Sequence, residues 1–169
     1  MNYSSRIDLL GAAMLGACLC APAFAALGSH AGDVQADAHA MQARSLAARP
    51  GAGASWTRHP LALADGGSAT EFADASGRVF AVSWTAPTLP DLSVLLGEHR
   101  SGYLRAQRRA VEARERAQAG TVVALSHRVA NLEDGDLVVN SAGQLQAYRG
   151  HAFLRSALPS DFDPKELNK

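Results

Sequence analysis

The chain has 169 residues, enough for one domain with a sizeable core, and its 16 basic residues are balanced by 16 acidic ones. That balance argues against a dedicated nucleic-acid binder, which needs a marked basic excess to neutralise phosphates. Only Lys165 and Lys169 are lysine, so the positive charge is almost all guanidinium.

Met1 to Ala25 reads as a secretory signal peptide, with a polar start at Arg6, an apolar run from Leu9 to Ala21 and the small-x-small site Ala23-Phe24-Ala25. Cleavage before Ala26 would deliver the mature protein to the periplasm or the medium, and the apolar run is too short for a comfortable permanent span. Cys18 and Cys20 both fall in this segment, so the mature chain would have no disulfide, no thiol catalysis and no thiolate metal site. Leu15-Gly16-Ala17-Cys18 also fits a lipobox, and lipidation at Cys18 would anchor the same domain to a membrane.

Residues 26–159 are expected to form a single α+β domain, followed by a polar, flexible tail over 160–169. Val34, Ala38, Met41, Ser45 and Ala48 predict a helix from Asp33 to about Ala48, and AARPGAGAS, 47–55, reads as a linker. Three strands follow over 56–63, 69–73 and 78–85, with turns at Asp65-Gly66-Gly67-Ser68 and Asp74-Ala75-Ser76-Gly77. Gly77 suits the positive φ that closes such hairpins. In the third strand Phe80, Val82 and Trp84 share one face and Val79, Ala81 and Ser83 the other, and both are apolar enough for a central, doubly buried strand.

Pro87 and Pro90 stop the sheet, with Thr88 as the expected N-cap, Pro90 in the first turn and Asp91 reaching back as in a capping box. The helical pattern runs from Pro90 to about Gln118 through Leu92, Leu95, Leu96 and Tyr103, which should pack on Phe80, Val82 and Trp84. Gly97 and Gly102 mark expected kinks. Beyond the helix the pattern predicts a strand over 121–127, a turn-rich loop over 131–135 and a hairpin of 137–140 with 144–149 across Ser141-Ala142-Gly143.

Recognisable chemistry is scarce. The histidines lack HxH, HExxH or Cys/His spacing, so no metal site is legible, and neither GxSxG, GxxxxGK[ST] nor GxGxxG is present, so no cofactor is expected. Glu71, Asp91, Glu98 and Asp136 could supply a carboxylate pair, but nothing in the sequence brings two of them together. The one charged feature is the arginine-rich helix, where Arg100, Arg105, Arg108 and Arg109 could present a cationic face to an envelope component or an acidic protein. Solvated i,i+4 pairing of Arg108 with Glu112 is the competing explanation.

The block GRVFAVSWTAPTLPDLSVLLG, with Gly77, Phe80, Val82, Trp84, Pro87, Thr88, Pro90, Asp91, Leu96 and Gly97 in order, resembles a family of exported proteobacterial proteins defined as domain of unknown function 2844. The resemblance continues in DLVVNSAGQLQAYRGHAFL and departs at Ala86, where glycine would be expected, and at His99, where an aromatic would be. It implies export and an intact fold and transfers no catalytic residue. The sequence therefore favours a non-enzymatic periplasmic or secreted accessory protein that contacts an unidentified protein or envelope component. A small hydrolase using converged His and Asp/Glu side chains, or an envelope-lipid binder, is the alternative.

Overall fold

The computed structural model describes residues 27–51, 55–117, 128–144 and 146–168. The expected signal segment, the strand expected over 121–127 and His127 lie outside the described residues. After a 3-10 turn at Ala31–Asp33, helix α1 (Val34–Ala40) leads into the short strands β1 (Arg44–Ser45) and β2 (Arg49–Pro50) and then into β3 (Trp56–Ala62), β4 (Ser68–Asp74) and β5 (Val79–Ala86). Helix α2 (Leu92–Leu96), a 3-10 turn at Gly97–His99 and α3 (Arg100–Ala117) follow. The chain returns as β6 (Arg128–Asp134), β7 (Leu137–Gln144) and β8 (Ala147–Leu154) and closes with 3-10 segments at Arg155–Ala157 and Pro164–Asn168.

The fold is α+β. All strands join one antiparallel sheet in the order β1-β3-β4-β5-β8-β7-β6, with β2 also on β3. Two meanders are thus stitched together where β5 pairs β8, and β5 lies in the middle, as its doubly apolar sequence requires. Val79, Phe80, Ala81 and Val82 are all fully buried.

One sheet face carries the helices. Leu95 and Leu96 join Leu61, Val82, Trp84, Val139, Ala152 and Leu154 in one core cluster, with Leu92 and Tyr103 packed against it. Trp84 is 3% exposed, so the packing expected between the helix and this strand holds for Val82 and Trp84. Phe80 departs from it. The β4–β5 register runs Phe72↔Ala81 and then Ala73↔Val79, which leaves Phe80 as the extra residue of a β-bulge. A bulge resets the alternation, so Val79 turns to the helix face and Phe80 joins Ala81 on the opposite one. There Phe80 packs with Trp56, Phe72, Phe162 and Leu167.

Several expected elements shift for local reasons. Helix α1 stops at Ala40 and does not run to Ala48. Gln42 takes φ 51, its N–H reaches the His39 carbonyl at 3.1 Å, and the Ala43 N–H reaches the Ala38 carbonyl at 2.6 Å, a Schellman ending with glutamine in the left-handed position usually given to glycine. The chain then turns extended, the end of the expected helix contributing β1 and the expected linker β2, both paired with β3. Residues 131–134, expected in a loop, belong to β6, where Leu132 alternates inward and Asn131 and Glu133 outward. The β7–β8 hairpin turns later than expected, between Gln144 and Ala147, with Gln146 at φ 63.

The helix start is also revised. Asp91 is the N-cap of α2, accepting from the Ser93 N–H at 2.8 Å, while Thr88 donates its hydroxyl to Asp65 across the β3–β4 turn. Pro90 therefore precedes the cap and lies outside the first turn. Gly97 breaks the helix at φ 47, whereas Gly102 lies inside α3 without ending it. A Cβ on Gly102 would come within 2.8 Å of Asp134 Oδ2, so this glycine serves close approach of the β6 end. Finally, the segment from residue 160 is no free polar tail. Phe162 and Leu167 are buried and cover the aromatic cluster, with ring centroids of Phe162 at 4.8 Å from Phe80 and 5.0 Å from Trp56. Two apolar residues in a polar stretch suffice to dock it, because each buried side chain contributes about 1.5–3 kcal/mol.

Candidate functional site

The four arginines singled out in the sequence do not form one cationic face. Arg105 and Arg109 each place Nη2 2.6 Å from a different oxygen of Asp134, and Arg109 also donates to the Glu133 carbonyl at 3.0 Å. This fork fastens α3 to the end of β6, and the hydrogen bond from Arg105 is the foremost cause that holds the Asp134 carboxyl below its usual range. Arg100 and Arg108 are exposed on the same helix.

Of the candidate carboxylates, Glu98 and Asp136 line one small concavity of about 180 Å³ with His99, Arg105 and Asp134, while Asp91 and Glu71 lie elsewhere. Asp91 caps α2. Asp136 accepts from the Ser156 backbone N–H at 2.8 Å and its hydroxyl at 2.7 Å, which pins the β6–β7 turn to the end of β8. Glu98 is largely exposed, and His99 Nε2 lies 3.6 Å from its Oε1, beyond the roughly 2.6–3.2 Å of a working acid–base pair. Glu71 is fully buried on the helix face of β4 against Asp37 of α1, also 0% exposed, so no substrate reaches either. Burial, reinforced by a hydrogen bond and repulsion from Asp37, pushes the Glu71 carboxyl up to about 10. Among the described residues no group of three or more His, Cys, Asp or Glu side chains is arranged to hold a metal ion.

The motif residues have folding roles. Gly77 adopts φ 84 at the turn and lies under the His30 ring, whose Nε2 bonds the Ser76 carbonyl at 3.1 Å. Pro87 follows the last residue of β5, and Leu96 is fully buried beside the Gly97 break. Thr88, Pro90 and Asp91 line a shallow concavity of about 290 Å³ with Met41, Gln42 and Asp65, and Trp84 borders the larger one described next.

On the sheet face opposite the helices the C-terminal segment covers the half built from Phe72, Ala81 and Phe153, a single cross-strand row. The next row changes character completely. Thr70, Ser83, His151, Asn140 and Asn131 lie side by side on β4, β5, β8, β7 and β6, each the register partner of its neighbour. At about 4.8 Å between strands they span roughly 19 Å. A third row adds Ser68, Thr85 and Arg149. With Leu167 and Asn168 of the C-terminal segment forming a wall, these rows floor a concavity of about 390 Å³. That volume lies at the small end of the 300–1,000 Å³ typical of ligand sites.

His151 is fixed in this floor. Asn140 Nδ2 lies 3.0 Å from His151 Nε2, and a side-chain hydrogen bond that the imidazole donates to Asn168 partly offsets the burial that lowers its pKa. With Asn140 donating to Nε2, the neutral ring carries its proton on Nδ1. Among the described residues the lining contains no carboxylate, and Arg149 is its only formally charged side chain.

The sequence-level reading missed this surface, because its residues come from five strands and meet only through register. Its trace is the alternation Ser68/Thr70, Ser83/Thr85 and Arg149/His151, which places polar side chains two apart on the same face.

Residues 23–167 match a family model described as "Protein of unknown function (DUF2844)". The chain belongs to the DUF2844 family. No curated protein and no solved structure matches this DUF2844 member. No helix among its described residues is long and apolar enough to cross a membrane.

Proposed function

We propose that this DUF2844 protein is an exported, non-enzymatic accessory protein of the cell envelope that binds a small polar ligand on the uncovered half of its sheet. The observation that carries this reading is the five-residue polar row from Thr70 to Asn131, aligned by register next to an apolar row in which Phe72 and Ala81 are buried and Phe153 partly so. A merely solvated face needs no wall, whereas here the C-terminal segment borders the row with Leu167 and Asn168. Among the described lining residues His151 has no carboxylate to orient it, which supports binding over hydrolysis. Export is supported by the signal-like pattern of residues 1–25.

Two measurements test the reading. A thermal-shift screen of the mature protein against neutral sugars, sugar acids, sugar phosphates, amino acids and polyamines should return at least one stabilising class. The shift should vanish in a Ser83→Val/Asn140→Leu variant that fills the floor with apolar atoms. No shift with any class, or a shift that survives the double substitution, sinks the binding site. Expression of the full chain in a Gram-negative host should give a fractionated product whose mass begins at Ala26, or at a lipidated Cys18 in the anchored alternative. An intact Met1 terminus in the cytoplasm would refute export.

A further inference from the structure

We infer that the ligand of this concavity is a small anionic saccharide, a hydroxyl-rich body carrying one carboxylate or phosphate that docks on Arg149; the inference rests on the binding reading above and narrows its ligand. The floor dictates the body. Thr70 and Ser83 offer hydroxyls that donate and accept, Asn131 and Asn140 offer amide pairs, and neutral His151, its Nε2 already taken by Asn140, adds an uncharged ring to the floor. A sugar hydroxyl also donates and accepts, so a ring laid along the row can exchange bonds with its hydroxyls and amides without leaving a buried group unpaired. A peptide is a poorer match. It would need pockets for alternate side chains or a strand edge, and the row is central, with its backbone already paired on both sides at β4, β5, β8 and β7.

The margin dictates the charge. Arg149 stands in register between Thr85 and Ala142, one row from His151 on the same face. Elsewhere the arginines at packed element ends are matched by acids: Arg58 with Glu166, Arg105 and Arg109 with Asp134, Arg155 with Glu133. Among the described residues Arg149 forms no hydrogen bond or ion pair, and none of those lining the cavity it borders is an acid. A guanidinium presents a planar fork that pairs with a carboxylate or a phosphate, and with Ser68 and Thr85 beside it the margin is a ready anion contact. A cationic ligand would meet repulsion and no compensating carboxylate.

Calorimetric titration of the mature protein with D-glucuronate, D-glucose 1-phosphate and D-glucose tests this. The two anions should bind on the order of tenfold or more tighter than glucose, the value of one charge-assisted contact. Their relative affinities identify carboxylate or phosphate as the preferred group. Arg149→Gln should remove that advantage, so that the two anions and glucose bind the variant with similar affinity, and leave the melting temperature unchanged. Equal affinity for glucose and both anions, or an unchanged anion preference in Arg149→Gln, overturns the inference while the binding site stands. Stabilisation only by cationic or amino-acid ligands in the screen has the same meaning. If no class binds at all, both the inference and the broader reading fail.

Discussion

Glu71 and Asp37 meet in the core between β4 and α1, and as two ionised carboxylates they would present acceptors only. A proton retained on Glu71 turns one of them into a donor, and the position of Asp37 in the first turn of α1 favours the negative charge there through the helix dipole. His59, opposite Glu71 on β3, supplies no compensating cation at neutral pH because burial lowers its pKa. The linkage then has a definite sign. Glu71 titrates at 4.5 when unfolded and at about 10 when folded, so above 4.5 the folded state binds a proton that the unfolded state has lost. Stability from this group is present below the unfolded value and declines as the pH rises toward the folded one, by at most about 1.4 kcal/mol per pH unit. Glu71→Gln keeps the donor without the titration. Urea midpoints measured from pH 5 to 9 should fall with pH in the wild type and flatten in the variant. Parallel profiles would show that the pair does not share a proton.

Among the elements, α2 tests which residue begins the helix. Asp91 accepts from the Ser93 N–H and hydroxyl, and these bonds, led by the one from the hydroxyl, lower its pKa. Asp91→Ala should cost about 1 kcal/mol, the usual loss on removing an N-cap, and lower the melting temperature by roughly 2–4 °C. Thr88→Ala removes only an exposed hydroxyl bond to Asp65 and should stay within about 0.5 kcal/mol. The reverse order would restore Thr88 as the cap. The Asp91 contribution should fade as the pH falls below 3.8, because a depressed carboxylate stabilises only while ionised. The motif from Gly77 to Gly97 was legible because its signals are local: a turn glycine, a doubly apolar strand, prolines and a helix pattern. The bulge at Phe80 and the left-handed Gln42 were not, since neither residue has the composition that usually marks such a position. Strand β6 was obscured because Asn131, Glu133 and Asp134 have turn propensity, and pairing with β7 overrides it. The polar row was illegible for a further reason: register, the property that assembles it, is set by the pairing of strands up to dozens of residues apart.

For the molecule as a whole, the C-terminal segment decides how much of the sheet is closed. Phe162 packs edge-on against Trp56, Phe72 and Phe80 at centroid distances of 5.0, 5.6 and 4.8 Å, while Glu166 pairs with Arg58 on β3 and Asp161 accepts from Ser55. The same segment supplies Leu167 and Asn168 to the cavity, so folding and the proposed ligand contact depend on one docked strap. Phe162→Ala should cost about 3 kcal/mol, at the lower end for a buried phenylalanine because little else collapses into the space, and lower the melting temperature by on the order of 10 °C. Global melting alone would not separate docking of the strap from general core damage. Trypsin does, because Lys165 lies within the final 3-10 segment. In the wild type that bond should resist cleavage under native conditions, and in Phe162→Ala it should be cut rapidly with loss of residues 166–169 while far-UV circular dichroism at 20 °C stays folded. Equal cleavage rates at Lys165 in the two proteins would mean that the segment frays in solution. In that case the cavity would lose its wall, and the polar row would become an ordinary solvated face.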